Sequence, residues 1–454
     1  MKKILFLSTS VALVWLLFPV QSFSKDVVTI KQSVIDTLKT TPRLEMMKYN
    51  REAVKYDLKK SKGGLYPKIN ARAAYGADRH SDQVTRRENR DHTWHARGEA
   101  SLVLTQLIFD GKETRSQVEI DKARVRSIDH RVFDNAEALA LDAVLAALEV
   151  YRQGKLLEIA EENVAAHEKI LASLKDMQQA GAGSIADVMQ TRARLSRTLT
   201  TRITVKNDLQ NALSEFERLA GYRPGKVRFP SEKPDVFLPK ALDDFLKAVL
   251  DNNPKLLTAQ ADIEAAAYRI TLAESKFFPK VFLEVGVTYE DGVEGDEDWS
   301  RNYAAMVRMN WNLLNGGSDK AAKSAAFARK LQAEMDRKDL ERNLTNEARA
   351  TWNDYKAALE EEQALKETVK FNEETRTLYR DQFSVGQRSL LDLLDAENEY
   401  FQSAGLYVTA TVNRVANAYK LLALSGKLIE TLGIDASIYK EPKMIQQPER
   451  KSVF

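Results

Sequence analysis

The chain contains the same succession of segments twice, and this duplication limits the folds that it can adopt. Pro42 precedes Pro254 by 212 positions, and Gly181 precedes Gly386 by 205. The change of offset falls between the two blocks, where strand-like segments and their loop lie. Loops absorb length changes, whereas packed helices do not. We therefore predict two structural repeats that share one plan.

The predicted repeats cover 25–225 and 226–430, and a C-terminal tail follows at 431–454. Each repeat begins with a helix of moderate length and continues with two strand-like segments. Two long helices follow, separated by a short break that contains glycine. These breaks, the predicted tips of two helical hairpins, lie near 181–187 and 386–392.

The long helices are predicted from stretches that are rich in helix-forming residues and poor in breakers. From Glu113 to Ala180 the chain has no proline and one glycine, Gly154. A helix of this length extends on the order of 100 Å, which indicates a coiled coil or a helical tube. An ordinary helical bundle or a cytoskeletal-type coiled coil would share this pattern, but the strands within each repeat argue against both.

Four segments alternate between apolar and polar residues, at 68–78, 94–107, 280–290 and 302–313. Alternation over about 10 residues with aromatic residues near the ends is typical of a transmembrane β-strand, which has lipid on one side and water on the other. A small soluble sheet with one wet face would show the same period. Strands in lipid must close into a barrel. Four are too few to enclose a useful pore, so several chains must contribute.

The N-terminus has the pattern of a signal peptide at 1–24. Lys2 and Lys3 precede an apolar stretch, and small residues at Ser22 and Ser24 precede a predicted cleavage before Lys25. The alternative is an uncleaved membrane anchor, because the apolar stretch is just long enough to span a bilayer. The small residues favour cleavage and therefore export.

Composition argues against several classes of protein. The formal charge of +3 gives no electrostatic reason to expect nucleic acid as a partner. With no cysteine, the chain has no disulfide, thiolate metal site or lipid anchor on an N-terminal cysteine. His92 and His95 lie in a charged, loop-like stretch and are interpreted as surface residues rather than metal ligands. No phosphate-binding loop or catalytic triad pattern is found, so neither an enzyme nor a cofactor is expected.

The sequence of the second break resembles that of a known protein family. The stretch from Phe383 to Glu397 reads FSVGQRSLLDLLDAE. It resembles the periplasmic tip of TolC-like channels, in which a Val-Gly-x-Arg turn joins two long helices and is followed by two aspartates. The break at 180–188 is similar to the matching tip of the first repeat. The chain is identified as a member of the TolC-like outer membrane efflux protein family, and the resemblance covers essentially the whole mature chain.

The resemblance implies a mainly α-helical chain with membrane β-strands. Three copies would form a homotrimer with a shared 12-stranded β-barrel, four strands from each chain, in the outer membrane. A long periplasmic α-helical barrel would continue it. The implied partners are outer-membrane lipid, a periplasmic adaptor (a membrane fusion protein) and an inner-membrane ABC or proton-driven transporter.

The resemblance also assigns roles at the tips. Asp392 and Asp395 would form an acidic ring at the pore entrance, since residues three apart share a helix face; Asp392 alternatively serves as a first-turn acid that suits the helix dipole. Arg388 would close the gate with Asp187 as its partner. Phe383 replaces a gate tyrosine and cannot donate that hydroxyl's hydrogen bond. The tip turns would depend on Gly181, Gly183 and Gly386.

The leading functional hypothesis is a passive duct for type I protein secretion, because the tip at 388–399 looks most like that of family members that serve protein secretion. The alternative within the family is the outer-membrane component of a multidrug or metal efflux pump. A periplasmic adaptor or a structural coiled coil would not offer four alternating segments of bilayer length.

Overall fold

The computed structural model describes residues 27–89, 91–230, 234–293 and 298–440. The predicted signal peptide at 1–24 lies outside these residues, as does the end of the predicted tail, 441–454. Within the described ranges, no helix is both long enough and apolar enough to cross a membrane.

In the described ranges the two repeats have the same order of elements, apart from one short helix between the long strands of the first. The first contains β1 (Val27–Thr29), α1 (Ile30–Thr40), α2 (Pro42–Gly63), β2 (Lys68–Asp78), α3 (Gln83–Arg87), β3 (His95–Phe109), α4 (Glu113–Gln179) and α5 (Ile185–Ala220). The second contains β4 (Lys226–Arg228), α6 (Leu242–Asn252), α7 (Pro254–Glu274), β5 (Lys280–Asp291), β6 (Trp299–Asn310), α8 (Ser318–Ser384) and α9 (Leu390–Leu424), followed by α10 (Leu428–Thr431) and α11 (Ser437–Lys440).

Proline begins the second helix of each repeat. Pro42 is the first residue of α2, and Pro254 is the first residue of α7. Proline suits this position because its missing N–H has no helical partner there and its φ is already helical. In the second repeat, the Asn253 side chain accepts a hydrogen bond from the Lys255 N–H at 2.9 Å and caps α7.

The four long strands form one antiparallel sheet in the order β2-β3-β5-β6. The register aligns one apolar row across all four strands, which consists of Ile69, Leu104, Val285 and Ala305. The adjacent row points to the other face and consists of Lys68, Thr105, Glu284 and Met306. Because side chains alternate along a strand, the period-two pattern of the sequence places most apolar residues of the four strands on one face of the sheet.

The last strand differs from its prediction. The structure places it at Trp299–Asn310, whereas the alternation of residues predicted 302–313. The ladder between β5 and β6 ends at the pair formed by Lys280 and Asn310, because β5 begins at Lys280. Beyond the ladder, the indole N–H of Trp311 donates a hydrogen bond to the carbonyl of Phe277 at 3.2 Å. The alternation of apolar residues in the sequence therefore continues beyond the end of the strand.

The sheet has two outer strands, β2 and β6. In the described part of one protomer, each pairs with a neighbour on one side only. The helices that lead into or out of the strands have a similar order, since α2 packs on α4, α4 on α7 and α7 on α8. The two sides of one protomer are thus formed by β2 with α2 and by β6 with α8.

The main hydrophobic core lies around the middle of α4 and the C-terminal ends of α5 and α9. It joins α1, α4, α5 and α9, and β1 pairs in parallel with β4 beside it. The chain continues into this core beyond residue 431: Tyr439 packs on Phe133 with ring centroids 5.7 Å apart, and Lys48 donates a hydrogen bond to the carbonyl of Ile438 at 2.7 Å. The part of the predicted tail up to Lys440 is therefore packed against the helices.

Candidate pore entrance at the helical tips

The two hairpins meet near their tips in one apolar cluster, which we call the tip cluster. Its buried members come from α4, α5 and α9: Ile170, Leu171, Leu174, Val188, Leu390, Leu393 and Leu394. Leu195, Tyr379 and Phe383 are partly buried against it. Phe383, at the position of the family's gate tyrosine, thus contributes apolar contact to this cluster.

The two tip turns are built in the same way. Gly181 and Gly386 both have left-handed backbone conformations, with φ of +79° and +77°. In each turn, the next N–H reaches back to the helix end, from Ala182 to the carbonyl of Met177 and from Gln387 to that of Gln382, both at 2.9 Å. Glycine adopts this conformation without the steric cost that a Cβ brings.

Gly183 has a different reason to be glycine. A Cβ at this position would lie 2.8 Å from the backbone nitrogen of Gln178, which is closer than van der Waals contact allows. Serine then starts the returning helix at both tips: Ser184 accepts a hydrogen bond from Ala186 N–H at 3.1 Å, and Ser389 accepts one from Asp392 N–H at 3.2 Å. The first tip therefore needs glycine both for conformation and for space.

Asp392 and Asp395 have different arginine neighbours. Asp392 lies 3.8 Å from Arg388, one turn earlier in the same hairpin. Asp395 accepts a hydrogen bond at 2.8 Å from Arg194, which belongs to α5 of the other hairpin. Asp392 also lies in the first turn of α9, where a negative charge complements the helix dipole.

Arg388 contacts its own hairpin. Its guanidinium carbon lies 4.0 Å from the ring centroid of Tyr379, and its Nε donates a hydrogen bond to Gln382 at 3.2 Å. Within the described part of the protomer, no ion pair joins Arg388 to Asp187, so the expected pairing does not form inside one chain. The reason is local, because the turn directs Arg388 back onto the last residues of α8.

A charged pair that the sequence did not predict lies just above the tip. Glu397 on α9 is 0% exposed and accepts a hydrogen bond from Arg380 on α8. Arg376 lies 3.8 Å from the same carboxylate and 3.7 Å from the ring centroid of Tyr400. The sequence did not predict this contact, because helical periodicity carries no signal that would pair residues across two helices.

Within the described ranges, no group of three or more His, Asp or Glu side chains is placed so that it could bind a metal ion. His92 is exposed and lies 3.6 Å from Asp91.

A duplicated chain with long helical hairpins, acidic tips and a sheet that is apolar on one face defines a class, that of tubular outer-membrane channel proteins. The chain belongs to the outer membrane efflux protein family, whose family model matches residues 35–222 and 245–427, one stretch in each repeat. Members of this family are transport proteins rather than enzymes.

Several known proteins resemble the chain over most of its length. The outer membrane efflux protein BepC of Brucella suis is 23% identical over 76% of this chain and 75% of its own. The outer membrane protein TolC of Vibrio cholerae is 23% identical over 86% and 88%. The proteases secretion protein PrtF of Dickeya chrysanthemi is 22% identical over 81% of each. The CmeC outer membrane channel of Campylobacter jejuni has the same fold, with a TM-score of 0.74 at 14% identity over 90% of each chain.

Proposed function

We propose that three copies of the chain form a continuous duct through the outer membrane and the periplasm, and that this duct serves type I protein secretion. The observation that carries the proposal is the register of the sheet, which aligns apolar residues of all four strands on one face. Lipid is the partner for that face, and the polar face lines a water-filled lumen.

The outer strands explain why several copies are needed. In lipid, an unpaired strand edge leaves N–H and C=O groups without partners, which costs several kcal/mol for each group. Pairing β2 of one copy with β6 of the next removes both edges. Three copies with four strands each give a twelve-stranded barrel wide enough to hold a pore.

The helices support the same closure. An exposed apolar stripe on α8 consists of Phe327, Leu331 and Met335, each one helical turn from the next. A second exposed set on α2 consists of Met46, Tyr49 and Tyr56. Because α2 and α8 form the two sides of the protomer, the stripe of one copy packs on the set of its neighbour when the strands pair. The hairpins then form a helical tube on the order of 100 Å long.

The tips form the entrance of this tube. Asp392 and Asp395 of three copies place six carboxylates around one axis, which favours cations. Arg388 holds the second tip turn against α8, and Gly181, Gly183 and Gly386 permit the turns. A periplasmic adaptor binds the helical tube and an inner-membrane transporter supplies the energy. A cleaved signal peptide at 1–24 directs export.

The cargo assigned here is protein. The tip at 388–399 resembles family members of protein secretion systems, and PrtF, which is similar over 81% of this chain, is named as a proteases secretion protein. A second candidate is the outer-membrane component of an efflux pump, which the similarity to BepC, an outer membrane efflux protein, favours.

A deletion strain tests the cargo assignment. Its surface and culture-fluid proteins are compared with those of the parent, and its tolerance to several unrelated drugs and metals is measured in parallel. Loss of one or a few secreted proteins with unchanged tolerance supports the proposal. Raised sensitivity with a normal set of secreted proteins assigns the chain to efflux. Complementation by the intact gene is the control, and a strain altered in neither property contradicts both candidates.

A further inference from the structure

One ion pair connects the two hairpins at the level of the predicted acidic ring. Arg194 on α5 donates a hydrogen bond to Asp395 on α9 at 2.8 Å, although the two residues are far apart in the sequence. Arg194 is 29% exposed and Asp395 is 55% exposed, so the pair lies at the protein surface with the arginine partly covered.

The pair has a fixed position because its sequence neighbours are packed. Leu195 follows Arg194 and lies against the tip cluster. Leu394 precedes Asp395 and is a fully buried member of the same cluster. The ion pair therefore lies at the border of the apolar contact that joins the two hairpins. Separation of α5 from α9 would break both.

The ion pair also changes the electrostatic field that the carboxylate of Asp395 would produce in a channel lumen. A carboxylate with a guanidinium at 2.8 Å has the field of a dipole, which falls off faster with distance than that of a charge and is further screened by salt. Asp392 is neutralised less closely, since Arg388 is 3.8 Å away and both side chains are partly exposed. The two aspartates therefore do not contribute equally to a ring while the hairpins are together.

We propose that Arg194 determines both the gating and the charge of the entrance. While the hairpins are together, Arg194 joins α5 to α9 and masks the charge of Asp395. When the hairpins separate, the bond breaks and the carboxylates of Asp395 in the three copies face the lumen without partners. The entrance then becomes more cation-selective as it widens. This inference rests on the proposed trimeric channel.

The test compares two single variants in purified trimers in planar bilayers. Arg194→Gln and Asp395→Asn both remove the tie, so both raise the closed-state conductance, about two- to fivefold for each broken ion pair. Their effects on selectivity are opposite, because the first leaves an unmasked carboxylate and the second removes it. The reversal potential in a KCl gradient therefore shifts toward cations for Arg194→Gln and away from cations for Asp395→Asn.

Arg192→Gln is the matched control, since Arg192 is an exposed arginine on the same helix; it is expected to leave both readouts unchanged. The exchange variant Arg194→Asp with Asp395→Arg restores the tie in reverse and returns the closed-state conductance to that of the parent. If the exchange variant conducts as much as the two single variants, the proposal that the Arg194–Asp395 ion pair holds the hairpins together is wrong. If Arg194→Gln and Arg192→Gln have equal cation selectivity, the proposal that Arg194 masks the charge of Asp395 is wrong. Parent trimers that never conduct overturn the proposed function, and this inference with it.

Discussion

The carboxylate of Glu137, which is buried on α4, accepts a hydrogen bond from the backbone N–H of Ile429 at 3.1 Å. A second bond comes from the N–H of Leu428 at 3.2 Å. Burial raises the pKa of Glu137 to about 7, in spite of these two donors, which favour the charged form. The start of α10 is thus held by an acid that titrates near neutrality.

We expect stability to fall as the pH rises through this range. A raised pKa means that the folded chain binds the proton more tightly than the unfolded chain. The stabilisation is complete below the unfolded pKa of about 4.3 and is lost as the pH rises through about 7. The loss is on the order of 3 kcal/mol per chain. Thermal unfolding followed by circular dichroism at pH 5 and pH 8 measures it.

Glu137→Gln removes the titration and makes the melting temperature less dependent on pH. Glu161→Gln, at an exposed position of the same helix, is the control and leaves the dependence as it is. Equal pH profiles for the parent and Glu137→Gln would contradict the assignment.

Glu397 offers a second test of the helical packing. Glu397→Ala leaves Arg380 without its buried partner and exposes a cavity, so the free energy of unfolding decreases by about 1–3 kcal/mol. The value is at the low end for buried pairs because Arg380 is itself partly exposed. Glu397→Gln retains an acceptor and costs less. Thermal melts of the detergent-solubilised protein measure the loss, and Glu399→Ala, an exposed neighbour, should melt like the parent.

The acidic ring is tested by Asp392→Asn combined with Asp395→Asn. The double variant removes six carboxylates from the proposed trimer, so the preference for cations decreases by about twofold or more. The reversal potential in a salt gradient gives the permeability ratio, and added multivalent cations should block the variant less strongly. Selectivity and block equal to those of the parent would refute the ring.

Arg388 is expected to keep the entrance narrow. Arg388→Ser removes the contacts with Tyr379 and Gln382 that hold the tip turn, and the closed-state conductance rises. Arg388→Lys keeps the charge but loses the flat stacking of the guanidinium, so it conducts at an intermediate level. Single-channel recording distinguishes the three proteins. A current unaltered by Arg388→Ser would argue against a gating role.

The tip glycines differ from a glycine inside a helix. Gly386→Ala places a Cβ on a residue with φ of +77°, which costs about 1–2 kcal/mol and loosens the turn. Gly386→Asn is milder, because asparagine tolerates this conformation. Gly154→Ala is the control: outside the adjoining backbone of its own helix, no atom lies within 4 Å of its Cβ position, and alanine favours the helix. Limited proteolysis of the folded protein should cut Gly386→Ala faster at the tip, while Gly154→Ala is cut like the parent.

Local patterns predicted much of the fold. The long helices follow from composition and the lack of proline between Glu113 and Ala180. The tip turns follow from Gly181 and Gly386, since a left-handed residue ends a helix within one turn of the chain. Each of these signals lies within the segment that it describes.

The remaining features depend on contacts between distant segments. The end of β6 is set by where β5 begins, at Lys280, so alternation alone placed it wrongly. The partner of Asp395 lies in the other repeat, and within one chain Arg388 contacts Tyr379. Side-chain pairing between helices has no period in the sequence from which it could be predicted.

The two free edges of the sheet have a genetic consequence. In the proposed trimer, each copy supplies β2 to one neighbour and β6 to the other, so a single chain with a damaged edge interrupts the ring. A cell that makes equal amounts of intact and edge-damaged chains assembles wholly intact rings in about one case in eight. An edge mutation should therefore be dominant, and transport should fall well below half even though a normal gene is still expressed.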